Sequence, residues 1–288
     1  MTNQVDTLFH ITNFDTLKIL LQEGFKPSYA KEHLGDRNII VPMVSFSNIL
    51  LRDIGENEVL NYGEYGIGFS RSWGISKNIN PVIYTYKEGE AQASLTSYLE
   101  DSVFVSKLRD FKEHFKKWTE CKCGNFSSSI ALTNTSKEAL ALADYLSTNY
   151  NEELVEHLSN FANSVFQATK PTIYLTKPYT VANKKGESFI AYNDREWRKT
   201  YLDLDFHVEG SKEYDYWTNQ KKPHFSQDEY RLTFEIPEIS AILIKDESER
   251  TQIIDILTGR YPEDELNKLV ATKRLFIDTK ENLIANGF

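Results

Sequence analysis

Strand-like segments occur in the first and the last third of this chain, and a helical stretch separates them. Runs rich in Val, Ile, Tyr and Phe are typical of strands, and they are "DTLFHIT", "IIVPMVSFS", "YGEYGIGFS", "PVIYTYK", "PTIYLT", "SFIAYN", "EWRKTYLDL", "YRLTFEI" and "ISAILIK". Strands on both sides of a block of helices predict an α+β fold. We expect one domain over 1–288, with a helical insertion at 91–169 and a C-terminal strand–helix extension at 239–288.

Three helices can be located from their end signals. In "NFDTLKILLQEGF", Asn13 or Asp15 can cap the start and Gly24 can end the helix. "NEELVEHLSNFANSVF" carries an apolar stripe at helical spacing that we expect to pack in a core, namely Leu154, Leu158, Phe161 and Val165. "DESERTQIIDILTG" begins at Asp246, with Glu249 in the third helical position of a capping box.

Composition excludes several classes of function. The net charge of −9 argues against a uniformly basic surface for binding bulk nucleic acid. Two cysteines, Cys121 and Cys123, form no disulfide framework, and with His114 they lack the ligand spacing of a zinc site. No signal peptide and no apolar run long enough to span a bilayer is visible. We therefore expect a cytoplasmic protein without a membrane segment or a metal site.

Two early strands carry polar side chains on one face, because alternate residues of a strand share a face. In "LFHIT", His10 and Thr12 project together, either towards a ligand or as a satisfied pair in the core. In "VPMVSFSNILL", Ser45 and Ser47 do the same, and they would let a planar ligand approach the backbone or would simply face solvent.

The stretch "NYGEYGIGFSRSWGI" interleaves glycines with aromatic residues. Tyr65 offers a stacking face, and Arg71 could hold a phosphate through two parallel hydrogen bonds. The glycine spacing does not match a phosphate-binding loop. A glycine-kinked hairpin that packs its own aromatic residues is the alternative.

In "YNDREWRK", an acid lies between two arginines and beside a tryptophan. On a strand, Glu196 and Arg198 share one face, while Arg195 and Trp197 share the other. Nearby cations should keep Glu196 ionised at neutral pH. The pair is either part of an active site or a structural ion pair.

Four motifs in order carry a resemblance to a known family: "LFHIT" with "GFKPSY", "VPMVSFSNILL", "YGEYGIGFSRSWGI" and "YNDREWR". Together they resemble AbiGi, an abortive-infection family of bacterial phage-defence proteins labelled as antitoxins. The resemblance covers Leu8 to Tyr86 and Tyr192 to Arg198. It implies an antiviral role and a partner, either a cognate toxin or a phage component.

The order of these residues is more loosely similar to the ADP-ribosyltransferase layout, which implies a mixed or antiparallel sheet core and NAD as substrate. In that reading His10 and Glu196 are catalytic, and Glu196 stabilises the sugar cation as nicotinamide leaves. The NAD-binding residues would be Thr12, Ser45, Ser47, Tyr65, Arg71 and Arg198.

Two functions follow from the resemblances, and a plain nucleotide-binding sensor is a third hypothesis. One is a phage-defence protein whose pocket cleaves NAD or transfers ADP-ribose. The alternative is a non-catalytic antitoxin that neutralises a toxin by binding it, for which an acidic surface suits a basic toxin. The first reading requires His10 and Glu196 to converge on one cleft.

Overall fold

The computed structural model describes residues 6–54, 59, 61–96, 145, 152–183, 185–219, 225 and 227–288. The chain forms two compact units, of which the first comprises Met1–Lys87 and Tyr174–Phe288 and the second Glu88–Ile173. No helix of the described part is both long and apolar enough to cross a bilayer. The prediction of one domain with an insertion at 91–169 and an extension at 239–288 stays a prediction.

The described residues contain both helices and strands. The strands are β1 (Thr7–Thr12), β2 (Ser28–Leu34), β3 (Arg37–Ser47), β4 (Tyr65–Ser70), β5 (Ile79–Pro81), β6 (Ile83–Thr85), β7 (Thr176–Pro178), β8 (Thr180–Ala182), β9 (Ser188–Ile190), β10 (Glu196–Thr200), β11 (His207–Val208), β12 (Ile239–Ile244) and β13 (Phe276–Thr279). The helices are α1 (Phe14–Glu23), α2 (Arg71–Ser76), α3 (Glu152–Leu175), α4 (Lys212–Thr218), α5 (Arg250–Thr258), α6 (Glu263–Ala271) and α7 (Lys280–Ala285).

One mixed sheet organises the first unit. Its strand order is β13-β12-β4-β1-β3-β10-β5, with β2 and β11 also pairing with β3. Only the β12–β13 pair is parallel among the described pairs of this sheet. The fold is therefore α+β, as the sequence predicts, and its likeness to an ADP-ribosyltransferase core stays a prediction.

Both faces of this sheet are buried. On one face, which we call the main core face, Leu8, Phe46, Phe69 and Ile242 pack with residues of α1, α5 and α6. On the opposite face, a smaller apolar cluster contains Phe9 and residues of β12 and α7. Successive residues of β1 therefore lie on opposite faces of the sheet, as Leu8 and Phe9 do.

Several predicted boundaries agree with the structure. Asn13 caps α1 by accepting a hydrogen bond from the backbone N–H of Thr16, and Gly24 follows its last residue. Asp246 and Glu249 form the predicted capping box, although a short 3₁₀ turn at Glu247–Glu249 precedes α5. These features are local, so the sequence alone locates them.

Two predicted strands are wrong. "YRLTFEI" forms only an isolated bridge between Leu232 and Phe25, flanked by short 3₁₀ turns. "PTIYLT" is the last turn of α3, which continues through Pro171, and only its final residue enters β7. Apolar runs of this length occur in helices, loops and strands, so the pattern could not separate them.

The expected core stripe of α3 is also wrong for its described side chains. Leu154 is 39% exposed, Phe161 is 70% exposed and Val165 is 37% exposed. The helical spacing is present, but these side chains face outward. The sequence also predicts a capping box from Thr135 to Glu138, which lies outside the described residues, as do Cys121, Cys123 and His114.

Candidate functional site

Five charged side chains are buried together in the first unit. They are Glu32, Lys177, Asp194, Glu196 and Arg198, and we call them the buried charge cluster. Their relative exposure ranges from 0% for Arg198 to 8% for Glu32. Charged residues are rarely buried unless they are paired, so this cluster must satisfy its own charges.

The central sheet positions the two residues at the centre of the cluster. Strand β10 pairs with β3 so that Glu196 lies opposite Ser47 and Arg198 lies opposite Ser45. The intervening Trp197 lies opposite Phe46 and packs against the main core. As predicted, Glu196 and Arg198 therefore share one face. Arg195 precedes the strand, in a left-handed conformation with φ of 41°.

Arg198 uses its whole guanidinium within the protein. Its Nε donates to Oε1 of Glu196 at 2.7 Å, and Nη1 donates to the backbone carbonyls of Tyr174 and Thr176 at 3.0 and 3.2 Å. Its Nη2 donates to Oε1 of Glu32 and to Oε2 of Glu196. A guanidinium has five N–H donors. This geometry leaves none of them for a pyrophosphate group.

Glu196 is saturated in the same way. Its Oε1 accepts hydrogen bonds from Ser45 Oγ at 2.8 Å and Arg198 Nε at 2.7 Å. Its Oε2 accepts from Lys177 Nζ at 2.6 Å and, more weakly, from Arg198 Nη2 at 3.3 Å. A carboxylate offers about four acceptor sites, and protein donors occupy them here.

These contacts shift the pKa values of Glu196 and Lys177. Burial acts to raise the pKa of Glu196, but Arg198 and Lys177 outweigh it and hold that pKa well below the ordinary value. Burial also acts to lower the pKa of Lys177, and the neighbouring Glu196 and Glu32 reverse this and raise it. Glu196 is therefore an anion and Lys177 a cation at neutral pH, and neither is poised to exchange a proton.

Glu32 behaves differently, because burial dominates and raises its pKa in spite of Arg198 and Lys177. Glu196 adds to the rise, since two carboxylates share the same arginine. With three acids and two bases, the cluster carries one excess negative charge when all its members are ionised. Protonation of Glu32 removes that excess.

Two tyrosines form hydrogen bonds with members of the buried charge cluster. Tyr84 Oη accepts a hydrogen bond from the backbone N–H of Glu196 at 2.7 Å, and Tyr62 Oη donates to Oδ2 of Asp194 at 3.2 Å. Burial raises the pKa of Tyr84 to about 12. Asp194 Oδ2 also lies 4.0 Å from Lys177 Nζ. The phenols therefore act as neutral hydrogen-bonding groups.

His10 lies on the other face of the sheet from Glu196. Phe9 is paired with Ser47, which in turn is paired with Glu196, so these three residues share a face. His10, the next residue along β1, points to the main core face and packs against Phe46, with ring centroids 5.8 Å apart. The structure does not bring His10 and Glu196 into one cleft.

The His10 ring is held as a core side chain. Its Nδ1–H donates to the carbonyl of Ser45 at 2.8 Å, and its ring lies edge-on to Phe25 at 5.1 Å. Burial lowers the pKa of His10, and the hydrogen bond to Ser45 only partly opposes this. The imidazole is therefore neutral at neutral pH, and the second of the two sequence interpretations, a satisfied core residue, describes its contacts.

The remaining predicted site residues divide between the two faces. Ser45 and Ser47 lie with Glu196. Thr12 is buried and lies opposite Tyr65, whose hydroxyl donates to Oε1 of Glu249 at 2.7 Å. Arg71 opens α2 and has Asp6 at 3.9 Å. Only the two serines therefore join Glu196 and Arg198.

The relationship of this chain to other proteins rests on its match to one protein family. The family described as "Putative abortive phage resistance protein AbiGi, antitoxin" matches residues 28–245, which is more than half of the chain. The chain belongs to the AbiGi family. Searches of the curated proteins and of the solved structures find no match. The family resemblance of the sequence motifs is thus confirmed, and the resemblance to ADP-ribosyltransferases stays a prediction.

The AbiGi match includes every member of the buried charge cluster, while His10 and Thr12 lie outside it. Of the cluster, sequence reasoning singled out Glu196 and Arg198, and the same motif "YNDREWRK" contains Asp194 two positions before Glu196. It missed Glu32 and Lys177. Neither carries a local signal, because each lies in a segment of ordinary mixed polarity and reaches Arg198 or Glu196 only through the folded sheet.

Within the described residues of this AbiGi protein, no group of three or more His, Cys, Asp or Glu side chains is arranged to hold a metal ion. The acids of the cluster instead face Arg198 and Lys177. These ion pairs connect β2, β7 and β10, because Glu32 lies on β2, Lys177 on β7, and Glu196 and Arg198 on β10.

Proposed function

We propose that this AbiGi protein acts in phage defence as a non-catalytic antitoxin that neutralises a partner toxin by binding it. The observation that carries the proposal is the saturation of Glu196, whose carboxylate accepts hydrogen bonds from Ser45, Lys177 and Arg198. A carboxylate that stabilises a sugar cation must face the substrate. This one faces its own arginine and lysine.

The position of His10 supports the same conclusion. An NAD-cleaving site built from His10 and Glu196 needs both side chains in one pocket, and the sheet separates them. Arg198, one of the predicted NAD-binding residues, has no exposed surface. Cleavage of NAD by these residues would require the cluster to open and the register of β1 and β3 to change.

The charge of the chain supports a binding role. A net charge of −9 gives long-range attraction to a basic partner, which increases the association rate and disfavours acidic partners. The family description includes the word antitoxin, which implies a toxin as partner. A basic protein toxin is therefore the partner that we propose.

Growth rescue tests the proposal. The gene next to the one for this chain would be expressed in a host as the candidate toxin, alone or with this chain. We expect growth arrest with the neighbour alone, rescue on co-expression, and a complex of the two proteins on size-exclusion chromatography. Failure of rescue with every neighbouring gene would contradict the antitoxin role.

A parallel assay follows the release of nicotinamide from NAD by purified protein, with and without lysate from infected cells. We expect no release above that of the Ser45→Ala variant. Release by the wild type that is abolished by Ser45→Ala or Glu196→Gln would instead support the NAD-cleaving alternative.

A further inference from the structure

A second feature of the first unit is a connected set of aromatic rings beside β2, β11 and α4. Tyr29 of β2 lies 4.8 Å from Trp217 and 5.2 Å from Phe225 between ring centroids. Tyr216 joins at 5.3 Å from Trp217, and Tyr230 joins at 5.9 Å from Phe225. The rings thus form one array rather than separate contacts.

Part of this array is open to solvent. Tyr216 is 59% exposed, while Tyr29, Trp217 and Tyr230 are partly exposed and Phe225 is buried beneath them. Large aromatic side chains that are held by their neighbours and partly exposed lose little conformational entropy on binding. For this reason they are enriched at protein interfaces.

Four carboxylates lie near two residues of this region, His207 and Tyr230. The negative charges of Asp205 and Glu213 favour the protonated form of His207, whose ring hydrogen-bonds with the hydroxyl of Tyr29. Desolvation raises the pKa of Tyr230, and the negative charges of Glu229 and Asp203 raise it further. All four acids are exposed. We call the rings of Tyr29, Tyr216, Trp217 and Tyr230 with these four acids the acidic aromatic face.

The local charge is negative overall. Residues 201–231 contain seven acidic and four basic residues. Acidic residues therefore exceed basic residues by three when all four bases are counted, and one of these bases, Arg231, is engaged by Asp228 at 2.7 Å. Burial lowers the pKa of His207 more than Glu213 and Asp205 raise it, so His207 adds no charge at neutral pH.

We infer that the acidic aromatic face is the surface that binds the partner, and that it binds an arginine- or lysine-rich segment of a protein. This inference rests on the proposed antitoxin function and names the surface that performs it. Aromatic faces attract cationic side chains, and guanidinium groups stack on them. The surrounding carboxylates add ion pairs and repel acidic partners, including nucleic acids.

The test uses a labelled oligo-arginine peptide as probe, with binding to the full chain followed by fluorescence anisotropy at low and at raised salt. The face variant combines Asp203→Asn, Glu213→Gln and Glu229→Gln. The matched control combines Glu263→Gln, Asp264→Asn and Glu265→Gln, three exposed acids of the first turn of α6. Both variants change the net charge equally, so only the location of the lost charges differs.

We expect the face variant to bind the peptide about tenfold more weakly than the wild type, and the control to bind nearly as well as the wild type. Tyr216→Phe should keep the affinity, because the ring remains, and Tyr216→Ser should lower it. Equal losses in the face variant and the control, or no binding by the wild type, would overturn the inference.

Growth rescue separates this inference from the proposed function. If the wild type and the control rescue growth and the face variant does not, both stand. If all three rescue equally, the antitoxin function stands and the binding surface is wrong. If none rescues, the antitoxin function falls, and peptide binding alone decides whether the face takes basic segments.

Discussion

At the scale of single residues, the hydrogen bonds of Glu196 explain why an acid lies between two arginines in this sequence. Ser45, Lys177 and Arg198 meet its carboxylate within a region from which water is largely excluded. Removing one partner of a buried ion pair is costly, because the other charge stays buried without compensation. The members of the cluster should therefore differ in their contribution to stability.

Glu196→Gln should lower the free energy of unfolding by about 3–5 kcal/mol, because Arg198 and Lys177 lose the anion that they share. Urea denaturation followed by circular dichroism measures this change. The matched control is Glu32→Gln, which should lower the free energy of unfolding less than Glu196→Gln does, because burial raises the pKa of Glu32 and so opposes its charged form. Equal losses in the two variants would contradict this account.

The two glutamates should also give opposite dependences of stability on pH. The pKa of Glu196 is lowered in the folded protein, so its contribution is complete above the ordinary value of 4.5 and is lost as the pH falls below it. The pKa of Glu32 is raised, so its contribution is complete below 4.5 and is lost as the pH rises through the folded value.

Wild type should therefore lose stability relative to Glu32→Gln as the pH rises from acid towards neutral. The urea midpoints of the two proteins, measured across this range, test the sign. A difference in midpoint that stays constant with pH would show that Glu32 titrates alike in the folded and unfolded states.

At the scale of elements, a glycine allows β4 to begin beside the end of β1. Gly63 has a φ of 121°, and an added Cβ would lie 2.2 Å from the carbonyl oxygen of Thr12. Gly210 also has a positive φ, of 88°, but an added Cβ would meet nothing within 4 Å. Alanine substitutions at Gly63 and Gly210 therefore separate the cost of backbone strain, which both would have, from the cost of a steric clash, which only the former would have.

Gly63→Ala should cost about 2–5 kcal/mol of unfolding free energy, while Gly210→Ala should cost about 1–2 kcal/mol, because only the former adds a clash to the left-handed strain. Thermal or urea unfolding of the two variants measures both costs. Similar values would indicate that β1 moves away from Gly63 without loss.

The elements also show what the sequence could predict. β1, α1, β12 and α5 have local signals, namely alternation or helical spacing together with caps, and they form where expected. β2 has no such signal, and its place is set by β3, with which it pairs along its whole length. Glu32, which lies on β2, was missed for the same reason.

The candidate site shows the same division. Alternation on a strand correctly predicted that Glu196 and Arg198 share a face. The nearby arginine predicted that Glu196 stays ionised, in agreement with its lowered pKa. Whether His10 lies on the same face of the sheet as Glu196 depends on the register between β1 and β3. That register is a long-range feature that no local pattern contains. A single-residue difference in that register decides whether His10 lies beside Glu196 or behind the sheet.

At the scale of the whole molecule, the proposed binding mechanism and an enzymatic mechanism differ in stoichiometry. An antitoxin that acts by binding inactivates at most one partner per binding site. An enzyme that modifies its target inactivates many. The ratio of antitoxin to toxin at full neutralisation therefore separates the two mechanisms.

The most direct measurement is a titration of purified toxin activity with this protein. We expect the activity to fall linearly and to reach its minimum at a fixed stoichiometric ratio, with or without NAD, and the ratio should not change with incubation time. Complete neutralisation by a small fraction of an equivalent, which becomes more complete with time and requires NAD, would contradict the proposed mechanism.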